Sequence, residues 1–170
     1  MNEQSAIVFL SLGSNQGDKS KNIRYAIHAL ESIPGTSELC LSGIWRTAAW
    51  GKTDQDDFLN CAVSIRTLIT PAVLMERIIE IEKNMGRIRA EHWGPRIIDI
   101  DILFYGNEII RTESLVIPHP ELQNRKFVLA PLLEIAPDFI HPVFKKSITQ
   151  LLSDCTDQSM ISEAYQIELK

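Results

Sequence analysis

The 170-residue chain is 45% hydrophobic and 23% charged, values that suit one domain with a proper buried core and argue against disorder. A formal net charge of −5 excludes a general nucleic-acid binder, whose phosphate contacts leave a basic surplus, so any anion must be held by a local basic patch. The apolar run Ile7–Leu10 is too short for a signal-peptide core or a membrane span, and Cys40, Cys61 and Cys155 lack the number and spacing of a disulfide framework or a zinc site. A single cytoplasmic domain over residues 1–170, with no membrane or nucleic-acid partner, is the expectation.

In chain order, Ile7 to Leu12 reads as a strand closed by Gly13-Ser14-Asn15, and Ile23, Ala26, Ile27 and Leu30 recur at helical spacing until Pro34-Gly35. Leu39 to Arg46 and Phe58 to Thr67 read as two strands, joined by a loop over Thr47 to Asp57. Thr70-Pro71 places a cap and a first-turn proline before a helix with Leu74, Ile78, Ile81 and Met85 on one face, which Gly86 ends. A strand over Arg96 to Tyr105 follows, then a Gly106-Asn107 hairpin into Glu108-Ile109-Ile110. This order, β-α-β-β-α-β, predicts an α+β ferredoxin-like core with a mostly antiparallel sheet, extended by a hairpin strand and C-terminal helices.

The last of these strands carries the chemistry. Asp99 and Asp101 interrupt an apolar, β-branched run that reads as a strand from the middle of a sheet. Residues two apart on a strand face one way, about 6.6 Å from each other, so the carboxylates form a pair, with Ile98, Ile100, Ile102 and Phe104 on the opposite, core face. Paired carboxylates in such surroundings call for a cation. Magnesium suits them, since it takes hard oxygen ligands and bridges carboxylates to phosphates, and two ions fit such a platform. The competing reading has both aspartates at a sheet edge, paired with arginines.

Between Gly86 and the aspartates the chain concentrates Arg87, Arg89, His92, Trp93 and Arg96, bounded by Gly86 and Gly94-Pro95. That composition predicts a loop whose guanidinium groups grip a polyphosphate from the side opposite the metal; the alternative is that they only neutralise neighbouring acids. His119 lies between Pro118 and Pro120, with Arg125 and Phe127 nearby. Asn60 offers the donor and acceptor that a lactam-like edge requires and Phe58 a stacking face, although from the residues alone Phe58 reads more readily as core and Asn60 as a cap for the strand or its loop.

Taken together, Gly13-Ser14-Asn15, Arg46-Thr47 with Trp50-Gly51, Phe58-Leu59-Asn60, Gly86-Arg87, Arg89, Trp93-Gly94-Pro95-Arg96, Asp99-Ile100-Asp101, Pro118-His119 and Asn124-Arg125 with Phe127 make the chain, from about Ile7 to Pro137, resemble the 6-hydroxymethyl-7,8-dihydropterin pyrophosphokinase family of folate biosynthesis. The resemblance implies transfer of the terminal diphosphate of ATP to the hydroxymethyl oxygen of the dihydropterin, leaving AMP. It implies two Mg2+ ions on Asp99 and Asp101, and Arg87 and Arg96 on the ATP phosphates. Glu82, Arg89, Trp93, His119 and Arg125 would contact the nucleotide, and Thr47, Trp50, Phe58, Asn60 and Phe127 would form the pterin pocket. A monomer is expected. The chain departs from many relatives at Ala48-Ala49, Ile79, Ser114 and Val116. The rivals are a nucleotidyltransferase, which would release pyrophosphate, and a ferredoxin-like ligand-sensing or RNA-binding module.

Overall fold

The structure, a computed structural model, describes residues 5–49, 54–87 and 95–166, with only the backbone of Ala164. Its elements are β1 (Ala6–Ser14), α1 (Lys19–Glu31), β2 (Thr36–Leu41), β3 (Ile44–Thr47), β4 (Phe58–Thr67), α2 (Pro71–Asn84), β5 (Asp99–Tyr105), β6 (Ile110–Arg111), β7 (Val116–Ile117), α3 (Lys126–Ile135), α4 (Ile148–Asp154) and β8 (Ile161–Tyr165). The main sheet runs β5-β1-β4-β3-β8, with β2 also on β4, and every pairing in it is antiparallel. Counting β2 and β3 as one bent strand, this is the predicted ferredoxin-like core.

Local chemistry sets the helix starts. Asp18 accepts a hydrogen bond from the Lys21 N–H at 3.0 Å, and Thr70 caps α2 ahead of Pro71. Both helices lay their apolar stripes, Ile23, Ala26, Ile27 and Leu30 of α1 and Leu74, Ile78 and Ile81 of α2, on one face of the sheet, against Val8, Leu10, Leu12, Val63, Ile100 and Ile102. The other face is only half covered. There α3 and α4 bury Leu129, Leu132, Ile148 and Leu151 against Phe9, Ala62, Leu103 and Phe104. Phe139 joins Phe9 and Phe104 in a cluster with ring centroids 4.9 and 4.7 Å away.

Five expectations need correction. The aspartate strand is an edge strand of the main sheet, not a central one; its sequence is as apolar as a central strand's because one face is covered along its length and the other from Leu103 onward, and the His119 N–H pairs with the Leu103 carbonyl alongside it. A register shift between Phe9 and Leu10 leaves Leu103 as an extra residue, so Phe104 turns into the α3–α4 core instead of joining Ile100 and Ile102. The stretch read as one strand from Leu39 to Arg46 is divided at Ser42-Gly43, where the Ser42 hydroxyl accepts from the Ala62 N–H at 2.8 Å and the Gly43 N–H donates to Glu134 at 2.9 Å. After the Gly106 turn, Ile110–Arg111 pairs with Val116–Ile117 in a separate two-stranded sheet and not back onto β5. The C-terminal third, expected to be helical, also contributes β8, which pairs with β3.

His141 is buried beneath this second core, 5.3 Å from the Phe104 ring, and its Nδ1 accepts from the Val143 and Phe144 N–H groups at 3.1 and 3.2 Å. Burial holds its pKa below the ordinary 6.5. As pH falls through about 6.5, the unfolded chain therefore gains a proton that the folded chain refuses, and stability declines. His141→Asn, which keeps an acceptor but cannot titrate, should lose less stability in urea unfolding between about pH 7 and 5 than the parent. Equal losses in the two proteins would refute this.

Candidate active site

Where α3 and α4 leave the sheet uncovered, a cleft of about 550 Å³ opens over the ends of β1, β3, β4 and β5. Its floor follows from the strand register. Ser11 and Gly13 of β1 lie opposite Asp101 and Asp99 of β5, and Gly13 also lies opposite Asn60 of β4. Small residues alternate here with the buried Leu10 and Leu12, so the face that is core on the helical side becomes a floor on this one. Gly13 has no substitute: a Cβ there would come within 2.6 Å of Asn60 Oδ1.

Asp99 and Asp101 both line this cleft, as the spacing predicted. Asp99 is ion-paired on both oxygens. Arg87 reaches one at 2.7 Å and Arg96 contacts the other, so the charge-pairing alternative for these arginines is realised here at Asp99. The end of α2 explains the placement of Arg87. Gly86, at φ +85°, lets the Arg87 N–H return to the Glu82 carbonyl at 3.0 Å and the Gly86 N–H to the Lys83 carbonyl, a Schellman turn that lays the Arg87 side chain beside Glu82. Glu82, itself buried, also accepts from the Ile100 N–H at 2.8 Å, which pins the helix end to the aspartate strand.

Asp101 is in a different electrostatic state. Burial, reinforced by the charges of Asp99 and Glu82 and opposed by Arg125 and Arg87, pushes its carboxyl up to about 7. His119 stands 3.9 Å away through Nε2. Burial and Arg125 depress its pKa to about 4, and its Nδ1 accepts from the Glu121 N–H at 3.2 Å. At neutral pH it is therefore uncharged, with its proton on Nε2 on the side of Asp101, and it stands behind the residues that line the cleft.

The opposite end of the cleft is aromatic and amide-bearing. Thr47 and Phe58 sit opposite each other across β3 and β4, and buried Asn60 donates through Nδ2 to the Thr47 hydroxyl at 2.7 Å. Phe127, in the first turn of α3, lines the same space together with Ala48 and Arg125, whose guanidinium carbon lies 6.0 Å from the Phe127 ring centroid. Thus Phe58 and Asn60 face the cleft and are not closed core. Trp50, Arg89 and Trp93 lie outside the described residues.

Sequence reasoning treated Asn15 only as the end of a turn. The structure makes it a hub. Its backbone N–H donates to the Arg96 carbonyl at 3.1 Å and its Oδ1 accepts from the Arg96 N–H at 2.7 Å, while its Nδ2 donates to Gln55 and to the Asp56 carbonyl at 3.0 and 3.2 Å. Lys19 joins the same loop through the Asp57 carbonyl at 2.8 Å. One buried amide therefore ties the segment bearing Arg96 to the segment that follows Thr47. Gln55 and Glu121 also line the cleft unforeseen; single polar residues in loops carry no periodicity to mark them.

A family model described as 7,8-dihydro-6-hydroxymethylpterin-pyrophosphokinase matches residues 9–137. The chain belongs to this family. Proteins named 2-amino-4-hydroxy-6-hydroxymethyldihydropteridine pyrophosphokinase are similar to it: that of Methylorubrum extorquens is 48% identical over 132 residues, covering 78% of this chain and 84% of its own. That of Aquifex aeolicus is 42% identical over 151 residues, covering 89% and 93%. Among solved structures, an HPPK-DHPS in complex with substrates aligns with a TM-score of 0.71 at 16% identity, over 89% of this chain and 43% of the other. The wild-type Plasmodium falciparum HPPK-DHPS aligns at 0.67 and 17%, over 89% and 45%. This chain thus spans less than half of those longer chains, and at such identity the likeness speaks for the fold. Membership in the pyrophosphokinase family makes the protein an enzyme, and every described site residue discussed above falls within the matched span.

Gly13→Ala should force Asn60 away from Thr47. Overpacking of this kind costs about 1–3 kcal/mol, so urea unfolding should report a loss of that order together with reduced turnover. Parent-like stability and turnover would show that the close approach at Gly13 has no consequence.

Proposed function

We propose that the cleft transfers the diphosphate of ATP to the hydroxymethyl oxygen of 6-hydroxymethyl-7,8-dihydropterin, releasing AMP, and that the residues around it divide into a phosphate end and a pterin end. Asp101 carries the reading. A carboxyl group pushed up to about 7, beside a second carboxylate that draws two arginines, marks a place short of positive charge. The donor set fits Mg2+. Two carboxylates from alternate residues of one strand line the cleft, and among the described residues no group of three acids, histidines or cysteines is placed to enclose an ion, which suits ions that complete their coordination with water and phosphate oxygens. Asp99 and Asp101 would hold two such ions, whose chemistry is to neutralise and orient the transferring phosphates.

The protein's own residues then do the following. Arg87 and Arg96, each paired with Asp99 in the structure, exchange that carboxylate for phosphate oxygens, where bidentate guanidinium contacts stabilise charge as it spreads during transfer. The exchange leaves no charge unpaired. His119, neutral and protonated on Nε2, donates to the nucleotide, and Arg125, Glu82, Arg89 and Trp93 complete its contacts. At the other end, Thr47 and Asn60 read the polar edge of the pterin and Phe58 and Phe127 take its two faces, with Trp50 as a further pterin-binding residue. Holding the alcohol in line with the departing AMP lowers the barrier by several kcal/mol without further chemistry. The hydrogen bonds of Asn15 link loops at the two ends, which supports closure of the site only when both substrates are present.

One antiparallel sheet carries both cores and the cleft, which supports a single domain, and a monomer is part of the same proposal. No helix among the described residues is long and apolar enough to cross a membrane, and ATP as a substrate supports a cytoplasmic setting.

Incubation with ATP, Mg2+ and the dihydropterin should yield AMP only when all three are present, and alanine at Asp99 or Asp101 should lower turnover by about a hundredfold or more. ADP or pyrophosphate as the product would refute the proposal, and so would alanine variants with parent-like turnover.

A further inference from the structure

Residues 156–165 lie beyond the span matched by the family model, yet they touch both walls of the aromatic end of the cleft. On one side β8 pairs with β3, setting Ile161 opposite Thr47 and Ser162 opposite Arg46, and the Met160 carbonyl accepts from the Ala48 N–H at 3.3 Å. On the other side Asp157 reaches the start of α3. Its Oδ2 accepts from the Lys126 N–H at 3.0 Å, while its Oδ1 accepts from the Ser159 N–H at 2.9 Å and so fixes the turn into β8. The helix has no side-chain cap of its own at Arg125. Asp157 supplies that missing partner from 31 residues downstream.

We infer that Asp157 is a positioning residue for the pterin substrate: through it the C-terminal segment straps the wall bearing Thr47 and Ala48 to the wall bearing Phe127, and so sets the width of the slot into which the heterocycle slides. Only Gln158 and Ser159 separate Asp157 from Met160, so the two attachments are mechanically close. The far ends of the same two elements are also joined, since Glu134 of α3 accepts from the Gly43 N–H and the Trp45 indole. With Asp157 in place, β3 and α3 are fastened at both ends. Without it, the end that carries Thr47 and Phe127 loses this direct tether and relies on the strand pairing and the packing of α3 on the sheet. The inference rests on the reading of this cleft as the pterin site, and it adds a residue that touches neither substrate.

Asp157→Ala should raise the KM for the dihydropterin about fivefold, the scale of one lost helix cap, with the KM for ATP and kcat changed less than about twofold. Asp157→Asn keeps one of the two accepting oxygens, so its pterin KM should fall between that of the parent and that of Asp157→Ala. Lys126→Pro provides a second route. It removes the donor at the first helical position, where proline is well accommodated and where Arg125 already has an extended backbone, so the helix survives while the tether is cut. It should raise the pterin KM as Asp157→Ala does, and combining the two should add nothing further. If Asp157→Ala folds poorly, the Lys126→Pro and Asp157→Asn pair decides alone. A parent enzyme that turns over the pterin, with parent-like pterin KM in the tether variants, would overturn this inference and leave the site reading intact. A parent that forms no AMP with the pterin would overturn the site reading and this inference with it.

Discussion

Two carboxylates held side by side on one strand, at the part of a sheet where no helix covers them, constrain the rest of this molecule. Like charges so placed repel, and burial makes the repulsion worse, as the shift of Asp101 to about 7 reflects. The fold answers with cations delivered from outside the strand. The Schellman turn at Gly86 returns Arg87 to Glu82 and Asp99, and the hydrogen bonds of Asn15 fix the backbone of Arg96 beside the same strand. Ser11 and Gly13 keep the facing strand low. Each of these choices is local, but together they leave a cleft in which one carboxylate draws two arginines and its neighbour is pushed up to about 7.

The sheet accomplishes this by dividing one of its faces between core and site. At one end Phe9, Phe104 and Phe139 pack under α3 and α4; at the other, Ser11, Gly13, Asn60 and the aspartates face open space. The extra residue at Leu103 marks the boundary, because it turns Phe104 into the covered half while Asp99 and Asp101 remain in the open half. The other face is an ordinary two-helix core, and it supplies the rigidity that a site built on strand ends requires.

Much of this was legible in the sequence because it is carried by periodicity or by fixed local chemistry. The two-residue spacing of the aspartates, the helical stripe from Leu74 to Ile81, the Thr70-Pro71 start and the Gly86 stop are each a property of a few adjacent residues, and each stands in the structure as read. The position of β5 at the sheet edge was not legible. Apolar content reports coverage of the faces, and it says nothing about which neighbours a strand has. The Leu103 bulge, the Ser42-Gly43 break and the hub at Asn15 depend on partners 20 or more residues away, for which no local pattern exists. The tail after Asp154 gave no signal, since an exposed edge strand such as β8 is short, polar and paired along only one side.

The paired acids as a shared seat for metal and nucleotide are the central claim, and nucleotide affinity tests it most directly. A non-hydrolysable ATP analogue should bind the parent tightly with Mg2+ and weakly after chelation, whereas Asp101→Asn should bind it with nearly the same low affinity in both conditions. Undiminished, Mg2+-dependent binding by Asp101→Asn would contradict the account.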